Sequence, residues 1–71
     1  MNNKRLKMLG INIKTERLKQ SVSQEKLSEM INISLASMSL IETGKQNTSF
    51  LNILDISRAL NIDIQNLSKD V

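Results

Sequence analysis

Between Gln24 and Gly44 the chain reads QEKLSEMINISLASMSLIETG, and this stretch restricts the fold more than any other. Ser23 precedes Gln24-Glu25-Lys26-Leu27, so its hydroxyl can cap the first amides of a helix, with Glu25 near the positive end of the helix dipole. Leu27 and Ile31 share one face and Lys26, Ser28 and Glu29 lie away from it, which is the stripe of a half-buried helix. Asn32 ends that helix, because asparagine tolerates a left-handed backbone better than other residues with a side chain. A second cap follows at once: Ser34 can accept from the amide of Ser37 and open another helix. On it Met38 and Ile41 face inward, Leu35, Ala36, Ser37, Ser39 and Leu40 are left largely outside, and Gly44 closes it.

The flanking segments read as helices that supply the core. Leu6, Leu9, Ile13 and Arg17 fall at helical spacing and predict a first helix from about Arg5 to Gln20, after a frayed Met1 to Asn3. Gly10 is a weak point in it, worth ~1 kcal/mol against alanine. Arg17 is informative because it stands on the apolar stripe, where a buried guanidinium needs a carboxylate. After a polar loop, Ser49 caps a fourth helix from Phe50 to Leu60, on which Phe50, Ile53, Ile56 and Leu60 face the core and Phe50 is the largest anchor. Asp63 caps a last helix from Ile64 to about Lys69. Its Leu67 packs inward, while Ile62, Ile64 and Val71 stay partly exposed and suggest a dimer seam. The expected fold is all-α, five helices in one domain over residues 1–71.

Composition closes several functional classes. The 71 residues contain neither cysteine nor histidine, which removes disulfides, thiolate metal sites and imidazole ligands together, so no metal and no cofactor is expected. Catalysis would need a Ser-Lys pair or paired carboxylates in a cleft, and a chain this short has little room for one, so an enzyme is not expected. No apolar run reaches the length of a membrane span and no signal segment follows Lys4-Arg5-Lys7, which makes a cytoplasmic protein the expectation. The net charge of +3 is uneven: residues 1–20 carry +5 and the remainder −2. An anionic partner would meet the first helix, and a phosphate backbone is the obvious one.

Two short helices joined by a tight turn form the helix-turn-helix geometry, whose second helix can lie in the major groove of DNA. The details resemble the lambda-repressor-like (Cro/XRE-type) helix-turn-helix family, which includes phage repressors and restriction-modification controller proteins. The resemblance rests on Ile13 and Arg17, on Ser23-Gln24-Glu25-Lys26-Leu27 and Ile33-Ser34, on Met38 through Gly44, and on Ile56-Ser57-Arg58-Ala59-Leu60-Asn61-Ile62. It implies a compact five-helix DNA-binding domain with its helix-turn-helix at 24–43. It also implies that Arg17 and Glu42 form a partly buried ion pair tying the first helix to the end of the recognition helix. Glu16 stands where relatives carry an aliphatic residue, so Leu18 or Val22 is expected to fill that space. Ser57 stands where relatives have a small alanine and reads as a packing residue.

As a DNA binder, the chain divides its contacts into those that position and those that specify. Gln24, Ser34, Thr43, Lys45, Gln46 and Asn47 are the expected phosphate contacts, helped by Lys4, Arg5, Lys7 and Lys14. Base readout falls to Leu35, Ala36, Ser37, Ser39 and Leu40, which match the family's exposed recognition positions. Here the chain departs from its relatives, which place amides and guanidinium groups at several of these sites to bond purine edges. Hydroxyls and aliphatics instead favour thymine methyls and shape, hence an AT-rich site. Two half-sites of a palindrome, bound by a homodimer, would restore discrimination and suit a self-regulating transcriptional regulator, whether repressor or activator. The same apolar helix supports a rival reading, a protein-binding or antitoxin-like module that uses Leu35, Ala36, Met38 and Leu40, with Met30 nearby.

Overall fold

The computed structural model describes residues 3–71. Its order is α1 Lys4–Lys19, α2 Gln24–Met30, α3 Leu35–Glu42, α4 Phe50–Ala59 and α5 Ile64–Ser68, with no strand among the described residues. Of the segment expected to fray, Met1 and Asn2 lie outside the described residues. Asn3 is instead the cap of α1, accepting from the amides of Arg5 at 3.0 Å and Leu6 at 3.1 Å. Ser23, Ser34, Ser49 and Asp63 cap the other four helices in the same way. The core is built from Ile13, Leu27, Ile31, Met38, Ile41, Ile56, Leu60 and Leu67, so every helix contributes to it. None of the helices is long and apolar enough to cross a membrane.

Helices of five to sixteen residues are mostly ends, and the ends are closed by a repeated device. After α1, α2, α3 and α4 the chain enters left-handed backbone at Ser21, Asn32, Gly44 and Asn61, with φ of 57°, 61°, 73° and 54°. Each time the following amide reaches back over the turn: Val22 to the carbonyl of Arg17, Ile33 to Ser28, Lys45 to Leu40 and Ile62 to Ser57. This is the Schellman arrangement, and it satisfies carbonyls that a helix end otherwise leaves bare. In three of the four cases the residue after the turn is Val22, Ile33 or Ile62, which packs against the core and fixes the exit direction. Only one of the four positions is glycine, and geometry explains which: a Cβ on Gly44 would stand 2.7 Å from the Cα of Lys7. Ser21, Asn32 and Asn61 point into solvent and have room for side chains.

The other glycine corrects the sequence reading. Gly10 is buried where α1 crosses α3, and a Cβ there would lie 2.4 Å from the carbonyl oxygen of Glu42 and 2.6 Å from that of Ile41. The residue that weakens α1 locally is the one that lets the two backbones touch. Two further expectations change. Ser28 is buried rather than outward, because α2 packs on both α3 and α4 and so needs a broader inner face than Leu27 and Ile31 supply. Its hydroxyl stays satisfied by donating to the carbonyls of Glu25 at 2.8 Å and Gln24 at 3.0 Å. Phe50 is 68% exposed and anchors nothing. It lies on the side of α4 that Ser57 buries but two turns earlier, about 10 Å back along the axis, beyond the end of the core. Val22 packs on the core, whereas Leu18 is exposed, and Ser57 is buried with its hydroxyl on the carbonyl of Leu54.

Candidate nucleic-acid interface

The geometry of α3 starts from its two ends. Ser34 opens the helix by accepting from the amide of Ser37 at 3.0 Å, which uses an oxygen lone pair and leaves the hydroxyl proton for an outside acceptor. Gly44 closes it, with its amide bonded to Ile41 and that of Lys45 to Leu40. Between them Met38 and Ile41 are fully buried, which rotates the opposite side outward. Leu35 and Leu40 remain 47% and 41% exposed, Ala36 and Ser39 are exposed, and Ser37 is half-buried. The five positions therefore form one outward surface of hydroxyls and aliphatics, without a charge.

What holds this surface at its angle is a buried polar cluster. Arg17 donates through Nε to Glu42 Oε2 at 2.8 Å and through Nη2 to Oε1 at 2.9 Å, a two-pronged pair that joins the C-terminal turn of α1 to the last residue of α3. The third arm, Nη1, donates to the carbonyl of Val22 at 2.9 Å and ties down the turn into α2. Gln24 completes the cluster, its side-chain amide donating to Glu42 Oε1 at 3.2 Å. Three helices are thus clamped by one carboxylate, and no buried polar side-chain atom among the described residues lacks a partner. The Gln24 contact leaves no trace in the sequence pattern, since the two residues are eighteen positions apart and Gln24 reads as a phosphate contact on the surface. One N–H of the Gln24 amide is engaged and the other remains for an external acceptor.

The expected phosphate contacts are not equally placed. Lys45 and Asn47 are exposed beyond the end of α3, and Gln46 is half-buried. Thr43 differs from the expectation: its hydroxyl donates back to the carbonyl of Ser39 at 2.9 Å, so it serves the helix end and holds no free proton for a phosphate. Among the basic residues of α1, Arg17 is buried, and Lys19 reaches Glu16 at 3.1 Å. Arg5 donates through Nε to the carbonyl of Val71 at 2.8 Å. Lys7 gains a position that periodicity could not assign, since its backbone and stem press against Gly44. Its backbone therefore lies against the turn that closes α3, near the carbonyl-rich terminus of the outward helix.

Residues 13–67 match the family model described as helix-turn-helix. Among curated proteins none matches the sequence. Solved structures do. The restriction-modification controller protein C.AhdI from Aeromonas hydrophila is 29% identical, with a TM-score of 0.84 over 87% of this chain and 94% of that one. The clp gene regulator ClgR from C. glutamicum is 20% identical, with a TM-score of 0.86 over 93% of this chain and 86% of its own. The hypothetical transcription factor NHTF from Neisseria is 24% identical, with a TM-score of 0.83 over 89% and 72%. The last two show the shared fold.

Proposed function

The chain belongs to the Cro/C1-type helix-turn-helix family of DNA-binding transcription regulators, and from that premise we propose that it binds a palindromic, AT-rich operator as a homodimer and regulates its own gene. The observation that carries the proposal is the outward surface of α3, which offers Leu35, Ala36, Ser37, Ser39 and Leu40 and no amide or guanidinium. Such a surface discriminates by touching thymine methyls and by following groove shape. Phosphate contacts then set the register: the free N–H of Gln24, the hydroxyl of Ser34, and Lys45, Gln46 and Asn47 beyond the helix, with Lys7 against the turn that closes it. The Arg17–Glu42 pair touches no base and holds α3 at its docking angle.

A surface of this kind yields modest discrimination per domain, which is why two copies on two half-sites belong to the reading. Half-sites repeat at about 34 Å. A protomer measuring 30 × 24 × 21 Å has the width for two copies to sit side by side at that spacing. A regulatory role is supported by the likeness to C.AhdI, itself a restriction-modification controller protein. A cytoplasmic location and the absence of catalysis are parts of the same proposal.

The test is fluorescence anisotropy of the purified protein on duplex from upstream of its own gene, against a shuffled duplex, across a salt series. Binding that prefers the native duplex, with log affinity falling steeply and linearly in log salt, is the expected result. Equal binding to both duplexes, or a salt-independent signal, would overturn it and leave Leu35 and Leu40 as a protein-binding face.

A further inference from the structure

Opposite charges three residues apart on a helix are neighbours and ordinarily meet. On α1 they do: Lys19 closes on Glu16 at 3.1 Å. On α4 the same order and spacing recurs in Asp55 and Arg58, yet the two stay apart, and neither side chain makes a hydrogen bond or ion pair among the described residues. Both instead line an open groove of about 550 Å³ between α4 and the end of α2. Its apolar lining is Ala59, half-buried, Ile31, which belongs to the core, and Met30, which is 45% exposed. Asn32 completes the rim. It is the left-handed residue of the turn that leads into α3, and its exposed side-chain amide can donate or accept. None of the residues assigned to base or phosphate contact lines this groove.

Two unpaired charges of opposite sign restrict what can occupy the groove. A simple anion that approached Arg58 would be repelled by Asp55, and a simple cation that approached Asp55 would be repelled by Arg58. A wholly apolar molecule would use Met30 and Ala59 but would strip water from both charges and put nothing in its place. A molecule that carries a carboxylate, an ammonium and an aliphatic tail meets all three demands. Side chains three apart on a helix start about 5–6 Å from one another, so the two charges of the ligand must lie close together as well. In an α-amino acid they are attached to the same carbon. We propose that the groove binds a free aliphatic α-amino acid, whose carboxylate meets the guanidinium of Arg58, whose ammonium meets the carboxylate of Asp55, and whose side chain lies on Met30 and Ala59.

Each part of the groove suits its share of the ligand. The planar guanidinium takes a carboxylate through two parallel N–H bonds. The unbranched, polarisable side chain of Met30 follows the outline of a branched tail. Asn32 stands two residues before the Ser34 cap, so a bound amino acid lies against the segment from which α3 starts. The site does not depend on the reading of the chain as a DNA binder, and its test needs no DNA.

The test is a titration of the intact, isotope-labelled protein with L-leucine, followed by the chemical shifts of its backbone amides. Saturable shifts at Met30, Asn32, Asp55 and Ala59 are expected, with half-saturation at roughly 1–10 mM for so small a ligand in an open groove. Isocaproate lacks the ammonium, isopentylamine lacks the carboxylate and glycine lacks the tail, and each is expected to bind about fivefold more weakly or worse. Asp55 and Arg58 are exposed, so their variants fold, and the dispersion of the same spectra checks this. Asp55→Asn is expected to weaken leucine about fivefold while binding isocaproate at least as well as the wild type does, because the repelling carboxylate is gone. Arg58→Gln is expected to weaken leucine by a similar factor while binding isopentylamine at least as well. Shifts that rise linearly without saturating would overturn the proposal. So would isocaproate binding as tightly as leucine, or variants that weaken all four compounds alike.

Discussion

Glu42 accepts from Arg17 twice and from Gln24 once, so removing the guanidinium leaves a buried carboxylate with one hydrogen bond where it had three. Arg17→Met keeps most of the side-chain volume and deletes only the charge and donors. The cost of breaking a buried pair on one side is about 3–5 kcal/mol, because the surviving charge stays desolvated. The Val22 carbonyl loses its partner as well, which adds about 1 kcal/mol. A domain of this size has about 4–10 kcal/mol in total, so the variant sits near its unfolding limit. Thermal denaturation followed by circular dichroism should show a fall of about 15 °C or more. Removing both charges in Arg17→Met with Glu42→Met is expected to restore stability to within about 1–2 kcal/mol of wild type, since a packed apolar pair needs no desolvation. DNA affinity is expected to stay low in the double variant, because Gln24 has lost the oxygen that holds it. Singles that each cost under about 0.5 kcal/mol would refute the reasoning, as would a double variant no better than the worse single.

Gly10→Ala adds a Cβ against two backbone carbonyls that cannot rotate away, so despite the ~1 kcal/mol gained in helix propensity it should destabilise by about 2 kcal/mol in urea titration. Ser21→Gly acts in the other direction: Ser21 is exposed at φ 57°, and glycine there should raise stability by about 0.5–1 kcal/mol. Leu40→Ala should lower affinity for the native duplex by about 1 kcal/mol or more while leaving binding to the shuffled duplex unchanged. Lys45→Ala should instead weaken both duplexes alike and reduce the salt slope by about one, which a salt series reads directly.

Much of this architecture is legible in local chemistry. Ser23, Ser34, Ser49 and Asp63 mark helix starts, and Asn32 and Gly44 mark helix ends, because caps and left-handed turns are decided by one or two residues acting on their own neighbours. Arg17 is legible for a related reason, since a charge on an apolar stripe demands a partner. What stays hidden depends on where elements end in space. Phe50 has the right period and the wrong position, because periodicity gives the side of α4 but not how far the core extends beneath it. Gly10 reads as a defect since nothing local shows that the carbonyls of Ile41 and Glu42 lie against it. The hydroxyl of Thr43 is taken by the helix end rather than kept for a phosphate, a competition that sequence position cannot settle.

The placement of the two glycines connects the fold to the proposed function. Both lie where α1 meets the C-terminal end of α3: Gly10 against the last carbonyls of the helix and Gly44 against Lys7 in the turn that follows. A side chain at either site would push α1 and α3 apart by a fraction of an ångström to an ångström. That displacement would act on the Arg17–Glu42 pair as well, since it spans the same two helices and its bonds of 2.8 and 2.9 Å leave little slack. Recognition through methyl contact depends on close approach and falls off with distance more steeply than an ammonium–phosphate attraction does. A recognition surface made of Leu35, Ala36 and Leu40 therefore requires a firmer mount than one made of long polar side chains, which could bend to keep their bonds. The mount that meets this requirement consists of backbone contact at the two glycines and one carboxylate shared by Arg17 and Gln24.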